Sequence, residues 1–241
     1  MDGRGSVPEV IVALDVEDVR EALRLVQLLR GRIHRYKIGS RLFTAAGPEI
    51  VSRIRSGGGA VFLDLKFHDI PATVAGSVRA AVGHDVWMMT IHTSGGLEMM
   101  RAAAEAAAEE AVKCGVDRPL LVGVTVLTSL SAPDLAVFGP IDGGIEDLVL
   151  RLAAQASEAG LDGVVASVAE AERIKRDVGE GFIVVTPGIR PAGGAVHDQK
   201  RVATPAMAAH AGADFIVVGR SIIGADSPPE AAEQILNELL S

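Results

Sequence analysis

The sequence predicts a closed (β/α)8 barrel, a TIM barrel, built from residues 1–241 as a single domain. Three observations carry this expectation. Short β-rich apolar runs recur eight times, each followed by a longer stretch with helical periodicity or an Ala-rich composition. Such alternation implies right-handed βαβ units and a parallel sheet. Eight units in 241 residues, with no linker, repeat or low-complexity tract, favour closure into a barrel over an open doubly wound sheet.

Taken in order, the strands are expected at residues 10–14, 35–38, 60–65, 86–91, 120–126, 163–166, 182–186 and 215–218. After the first, Val19, Ala22, Leu23, Val26 and Leu29 keep one helical face apolar. Leu148, Leu152 and Ala156 do the same before the sixth. The last helix, 228–240, follows Ser227-Pro228, a capping residue with proline at the first helical position. Met88-Met89 and Met99-Met100 read as core or interface filler, and Cys114, near the end of an Ala-rich helix, as packing.

Composition narrows the function classes. The chain is 49% hydrophobic, enough for a substantial core, and its net charge of -8 disfavours nucleic acid and anionic membranes as partners. Aromatics at 3% leave few stacking platforms for single strands. One cysteine excludes an internal disulfide and suits a reducing compartment. No apolar run reaches the ~18 residues a membrane helix needs, and the start lacks a signal-peptide core. The expectation is a soluble, cytoplasmic protein.

Barrel enzymes place their chemistry at the carboxyl ends of the strands. Here those ends carry Asp15, Lys37, Asp64 and Lys66 with Asp69 beyond, His92, Thr128-Ser129, Gly188 with Arg190, and Gly219-Arg220. In the stretch FLDLKFHDIP, Asp64 and Lys66 are two apart on a strand and should project to one face. Lys37 lies on the neighbouring strand, and Asp69 can fold back from the loop. The array Lys37–Asp64–Lys66–Asp69 gives each charge an opposite neighbour. It reads either as a structural ion-pair network or as a lysine general acid flanked by carboxylates. A lysine suits the second role because it can protonate a developing carbanion while its charge stabilises it.

A second constellation runs from Thr186 to Arg190, then through Gln199 to Gly219-Arg220. Glycines after strands seven and eight let backbone N–H groups approach a phosphate, and Arg220 can grip it bidentately. The Pro- and Gly-containing stretch 188–201 reads as a mobile flap. Against a bland reading of solvated arginines on ordinary turns, Arg190, Gln199 and Arg220 converging from two loops favour phosphate capture. The six histidines show no metal-binding spacing, and His68 and His92 read as supporting residues. No GxGxxG or GxxxxGK[ST] fingerprint occurs. Thr128 and Ser129 lack a nearby base and read as hydrogen-bond donors.

The blocks FLDLKFHDIPATV, VTVLTSL, VTPGIRPAGG, DQKRV and VVGRSI, with IVALDV and YKIGSRLFTAAGPEIV before them, resemble the bacterial orotidine 5′-phosphate decarboxylases. They stand in the same order and span nearly the whole chain. The resemblance implies decarboxylation of orotidine 5′-monophosphate to uridine 5′-monophosphate in pyrimidine biosynthesis, by a homodimer without metal or organic cofactor. It implies Lys66 as proton donor to C6 of the pyrimidine, Asp64 against the departing carboxylate, and Lys37 and Asp69 completing the array. It further implies that Asp15 and Lys37 hold ribose hydroxyls, and that Thr128 and Ser129 meet the pyrimidine edge. Gln199, Gly219 and Arg220 bind phosphate with Arg190 beside them, and Asp69 and Thr73 come from the neighbouring subunit. The D-x-K-x-x-D pattern also occurs in the Mg2+-dependent keto-gulonate phosphate decarboxylase and hexulose phosphate synthase. The Gln199 loop and the Thr128-Ser129 block favour the orotidine enzyme. A non-catalytic phosphometabolite-binding barrel has no use for a buried lysine acid.

Overall fold

Eight parallel strands close on themselves in sequence order: β1 (Glu9–Ala13), β2 (Arg35–Gly39), β3 (Ala60–Phe67), β4 (Met88–His92), β5 (Leu120–Val124), β6 (Gly163–Val165), β7 (Ile183–Thr186) and β8 (Phe215–Val218). Every neighbouring pair is parallel, and β8 returns to β1 in the register Ile11↔Val217. The computed structural model describes residues 7–139, 142–191 and 203–240. Gln199 lies outside the described residues, as does most of the expected flap.

The helices cover the outside. They are α1 (Val19–Leu29), α2 (Ser40–Ala46), α3 (Glu49–Ser56), α4 (Pro71–Val82), α5 (Leu97–Cys114), α6 (Ala132–Leu135), α7 (Gly144–Glu158), α8 (Val168–Val178), α9 (Pro205–His210), α10 (Arg220–Ile223) and α11 (Pro228–Leu239). Their start signals are local. Asp18 accepts from the Arg20 N–H at 2.8 Å ahead of α1, and Ser167 with Glu170 forms a capping box on α8. Ser227 departs from expectation. It precedes α11 but makes no side-chain capping bond, and Pro228 at the first position sets the start through its fixed φ. Cys114 is exposed and packs against no core, whereas Met88, Met89, Met99 and Met100 are fully buried.

Alternation along the strands creates two cores. On β1, Val10 and Val12 face the helices with Leu14 beyond, while Ile11 and Ala13 point into the barrel. The inner stack continues through Phe62, Met88, Val122, Val185, Phe215 and Val217. At the amino end it is closed by Arg35, whose guanidinium carbon lies 4.6 Å from the Trp87 ring centre and 5.6 Å from that of Phe215, and which pairs with Glu9. The barrel interior is therefore not wholly apolar. The same inward parity that buries Ile11, Ala13 and Phe62 puts Asp15 and Asp64 at the opposite, carboxyl end. That parity aims the acidic groups into the mouth.

Candidate active site

The mouth encloses a cavity of ≈ 740 Å³ lined from seven of the eight strands and the segments that follow them. Its floor is apolar: Ala13, Phe62, Val124, Val165, Val185 and Val217. One wall carries an unbroken series of alternating charges. Asp15 Oδ1 lies 3.2 Å from Lys37 Nζ, which lies 3.3 Å from Asp64 Oδ2, and Asp64 Oδ1 accepts from Lys66 Nζ at 2.7 Å. The series sums to zero charge, which makes its burial sustainable. Asp64 and Lys37 are the enclosed members, with side chains 10% and 12% exposed, and Lys66 is 33% exposed.

The electrostatics follow from this order. Burial works to lower the Lys37 pKa, but Asp64 and Asp15 outweigh it and raise the value above that of a free lysine. Burial likewise works to raise that of Asp64. Lys37 and Lys66, with hydrogen bonds from Lys66 and Thr90, more than offset it and hold the carboxyl below its ordinary range. Both groups are thus ionised at neutral pH. His92, in the next strand, is pushed down by burial first, then by His68 and Lys66, with Asp64 opposing. Its ring centre is 5.3 Å from that of His68.

Lys66 reaches Asp64 by an unusual backbone. It has φ +53, one of two non-glycine residues with positive φ among those described, and the β3–β4 register shifts between Leu63 and Phe67. Simple strand alternation is therefore not what puts Asp64 and Lys66 together. Gly39 supplies clearance on the other side: a Cβ there would sit 3.2 Å from Lys37 Nζ and 3.4 Å from Asp15 Oδ1.

The adjoining arc of the rim holds Pro187, Gly188, Ile189 and Arg190 after β7, and Gly219, Arg220 and Ser221 after β8, the strand that pairs with β1. Gly188 adopts φ +81, a conformation that favours glycine, and Arg190 is buried, its backbone N–H bonded to Ala203 O at 3.0 Å. Arg190 and Arg220 thus share one cavity with Lys37, Asp64 and Lys66, as the sequence led us to expect.

Three sequence-predicted residues lie outside this cavity's lining. Asp69 does not fold back onto the array. It is exposed, its Oδ1 accepts from the adjacent Ile70 N–H at 2.7 Å, and it lines no part of the cavity. Proline at position 71 starts α4 immediately and carries this segment outward. Thr73, in the first turn of α4, is exposed with it. Thr128 lines the cavity, but Ser129, next along the chain, is exposed and outside the lining. Gln199, as stated, is not described.

Two residues escaped the sequence reading. Arg41, on α2, lines the mouth and pairs with Glu17 at 2.9 Å. Thr90, wholly buried on β4, donates to Asp64 Oδ1 at 3.0 Å and accepts from the Lys66 N–H at 2.9 Å. A polar residue at an inward position of the run MMTIH was the available signal. Among the described residues, no group of three or more His, Cys, Asp or Glu side chains is placed to share a metal ion. No described helix is long and apolar enough to cross a membrane.

Comparison with known proteins gives this arrangement its relatives. The orotidine 5′-phosphate decarboxylase / HUMPS family matches residues 8–235. An orotidine 5′-phosphate decarboxylase of Aliivibrio fischeri is 48% identical over 231 residues, covering 96% of this chain and 95% of its own. One from Sodalis glossinidius is 50% identical over 230 residues, covering 95% and 89%. The crystal structure of orotidine 5′-phosphate decarboxylase from Lactobacillus acidophilus superposes with a TM-score of 0.84 at 33% identity, covering 97% of this chain and all of that one. The chain belongs to the orotidine 5′-phosphate decarboxylase / HUMPS family.

Proposed function

We propose that this protein decarboxylates orotidine 5′-monophosphate to uridine 5′-monophosphate and CO2, the reaction named for its relatives. The observation that carries the reading is one cavity holding two complementary halves. An Asp15–Lys37–Asp64–Lys66 charge series lies along β1 to β3, and Gly219, Arg220 and Arg190 follow the adjoining strands β8 and β7.

The chemistry fits the arrangement. When the C6–carboxyl bond breaks, its electron pair stays on C6 in an orbital without conjugation, so no ring atom can absorb the charge. A fixed ammonium is then the most effective stabiliser, because it meets charge that exists only after bond cleavage begins. Lys66 supplies that ammonium and passes a proton to C6, and its one-third exposed side chain regains one from solvent. Asp64 holds the Lys66 ammonium in place and faces the departing carboxylate. Lys37 and Asp15 hold ribose hydroxyls, Thr128 meets the pyrimidine edge, and Arg190, Gln199, Gly219 and Arg220 take the phosphate. The phosphate undergoes no bond change. Gripping it orders the site around the reacting carbon.

Asp69 and Thr73 enter this reading through a second copy of the chain. Their exposure beside Ile70, itself 66% exposed, agrees with an interface role. Each site of a homodimer then combines Lys66 of one subunit with Asp69 of the other, with no metal or organic cofactor, in the cytoplasm. The test is to follow the loss of orotidine 5′-monophosphate ultraviolet absorbance with and without EDTA. Equal rates in both support this function. No loss of absorbance refutes it, and loss abolished by EDTA overturns its metal-free chemistry.

A further inference from the structure

We infer that Thr90 is a positioning residue: its hydroxyl clips the Lys66-bearing bulge to β4 and fixes the Asp64 carboxylate in the same stroke. The inference rests on the proposed role of Lys66 as proton donor.

The β3–β4 register pairs Leu63 with Met89 and then Phe67 with Ile91. On β3 the intervening residues are Asp64, Leu65 and Lys66, whereas on β4 there is only Thr90. The ladder cannot continue across such a mismatch, so the bulged strand needs another acceptor for its buried N–H. Thr90 provides it. Its Oγ1 accepts from the Lys66 N–H at 2.9 Å, in place of a β4 carbonyl. The same hydroxyl has one proton to give, and it goes to Asp64 Oδ1 at 3.0 Å. That oxygen also receives Lys66 Nζ at 2.7 Å.

One hydroxyl therefore ties the backbone and, through Asp64, the side chain of Lys66. The arrangement has a reason to need tying. A non-glycine residue at φ +53 lies in a sparsely populated region that persists only where its surroundings hold it. Thr90 is fully buried, and its β-branched side chain is stiff at χ1, so the hydroxyl has little freedom to release its partners. Without it the Lys66 N–H loses its acceptor, Asp64 loses a donor, and the ammonium can drift from the reacting carbon. Misplacement by about 1 Å is enough to cost on the order of 100-fold in rate.

The experiment compares Thr90→Val, which keeps shape and removes the hydroxyl, with Thr90→Ser, which keeps the hydroxyl and removes the methyl. Thr90→Ala completes a Ser/Ala pair differing only in the oxygen, which carries the comparison if the Val variant does not fold. Turnover of orotidine 5′-monophosphate is measured alongside Lys66→Ala. The expected result is a kcat lowered on the order of 10- to 100-fold in Val and Ala, KM within about threefold, and most of kcat restored in Ser. If Val and Ala keep kcat within about twofold of wild type while Lys66→Ala is inactive, Thr90 positions nothing and the inference fails alone. Losses shared equally by Ser, or falling on KM rather than kcat, overturn it as well. Near-normal turnover by Lys66→Ala overturns the proton-donor reading and this inference with it.

Discussion

Asp64 is the hub of the charge series, so replacing it by asparagine perturbs every member at once. The amide keeps the volume but carries no charge, and it turns a donor toward one of two lysines that now faces it. Removing one partner from a buried ion pair costs about 3–5 kcal/mol. Here the cost is smaller, because Lys37 retains Asp15 at 3.2 Å and Lys66 is one-third exposed to water. We expect a loss of roughly 2–3 kcal/mol at neutral pH, or about 4–12 °C in Tm for a chain of this size. The pH dependence has a definite sign. Asp64 is depressed below its ordinary value by Lys37 and Lys66 against the opposing effect of burial, so it stabilises the fold above the unfolded Asp value of about 3.9. That contribution disappears as pH falls through the lower folded value. Denaturant midpoints of wild type and Asp64→Asn should therefore differ by a constant amount from pH 7 to pH 5 and converge below about pH 4. A gap that stays unchanged into acid, or an Asn variant as stable as wild type at pH 7, refutes the electrostatic reading.

Other perturbations separate the parts of the site. Arg220→Ala should lower kcat/KM by roughly 2–4 kcal/mol, with part of the loss recovered by added guanidinium. An unchanged KM for the nucleotide removes Arg220 from the phosphate site. Arg35→Ala, at the far end of the barrel, should cost about 1–2 kcal/mol of stability through the lost stacking on Trp87 and Phe215 while leaving kcat unchanged. A fall in kcat there contradicts the separation of plug from mouth. Inactive Lys66→Ala and Asp69→Ala homodimers, mixed and allowed to exchange, should regain about a quarter of wild-type activity. Half the dimers are then hetero, with one of two sites intact. Activity that stays at the mutant level despite proven exchange rules out a composite site.

The fold was legible because each βα unit repeats one pattern, and a strand buried on both faces announces itself as an apolar run. Strand bounds came within about two residues, since helix packing and barrel closure leave little latitude at the ends. The charged residues were legible for the opposite reason: Asp64 and Lys66 break such a run, and burial of charge demands a partner. What the sequence could not disclose was how they meet. Period-two alternation predicts a common face for residues 64 and 66, yet a bulge and a positive φ at Lys66 produce the contact. Nothing local marks that bulge, because it is a mismatch in length between two strands rather than a property of either. Thr90 escaped for the same reason, as its importance lies in the gap opposite it. Arg35 escaped because its partners, Trp87 and Phe215, come from distant strands. Asp69 does not reach the array of its own chain, because Pro71 starts a helix that leads away, which leaves the role in a second copy as its route to a site.

The central claim is that Lys66 delivers the proton that replaces the carboxyl group at C6. Its most direct measurement is turnover of orotidine 5′-monophosphate in D2O, reading CO2 release and the C6 position of the product by NMR, for wild type and Lys66→Ala. Wild type should release one CO2 for each uridine 5′-monophosphate, with a deuteron at C6. Lys66→Ala should bind the product nucleotide through the Arg220 side of the cavity yet form almost none of it. Deuterated product appearing from Lys66→Ala at near wild-type rate contradicts the account.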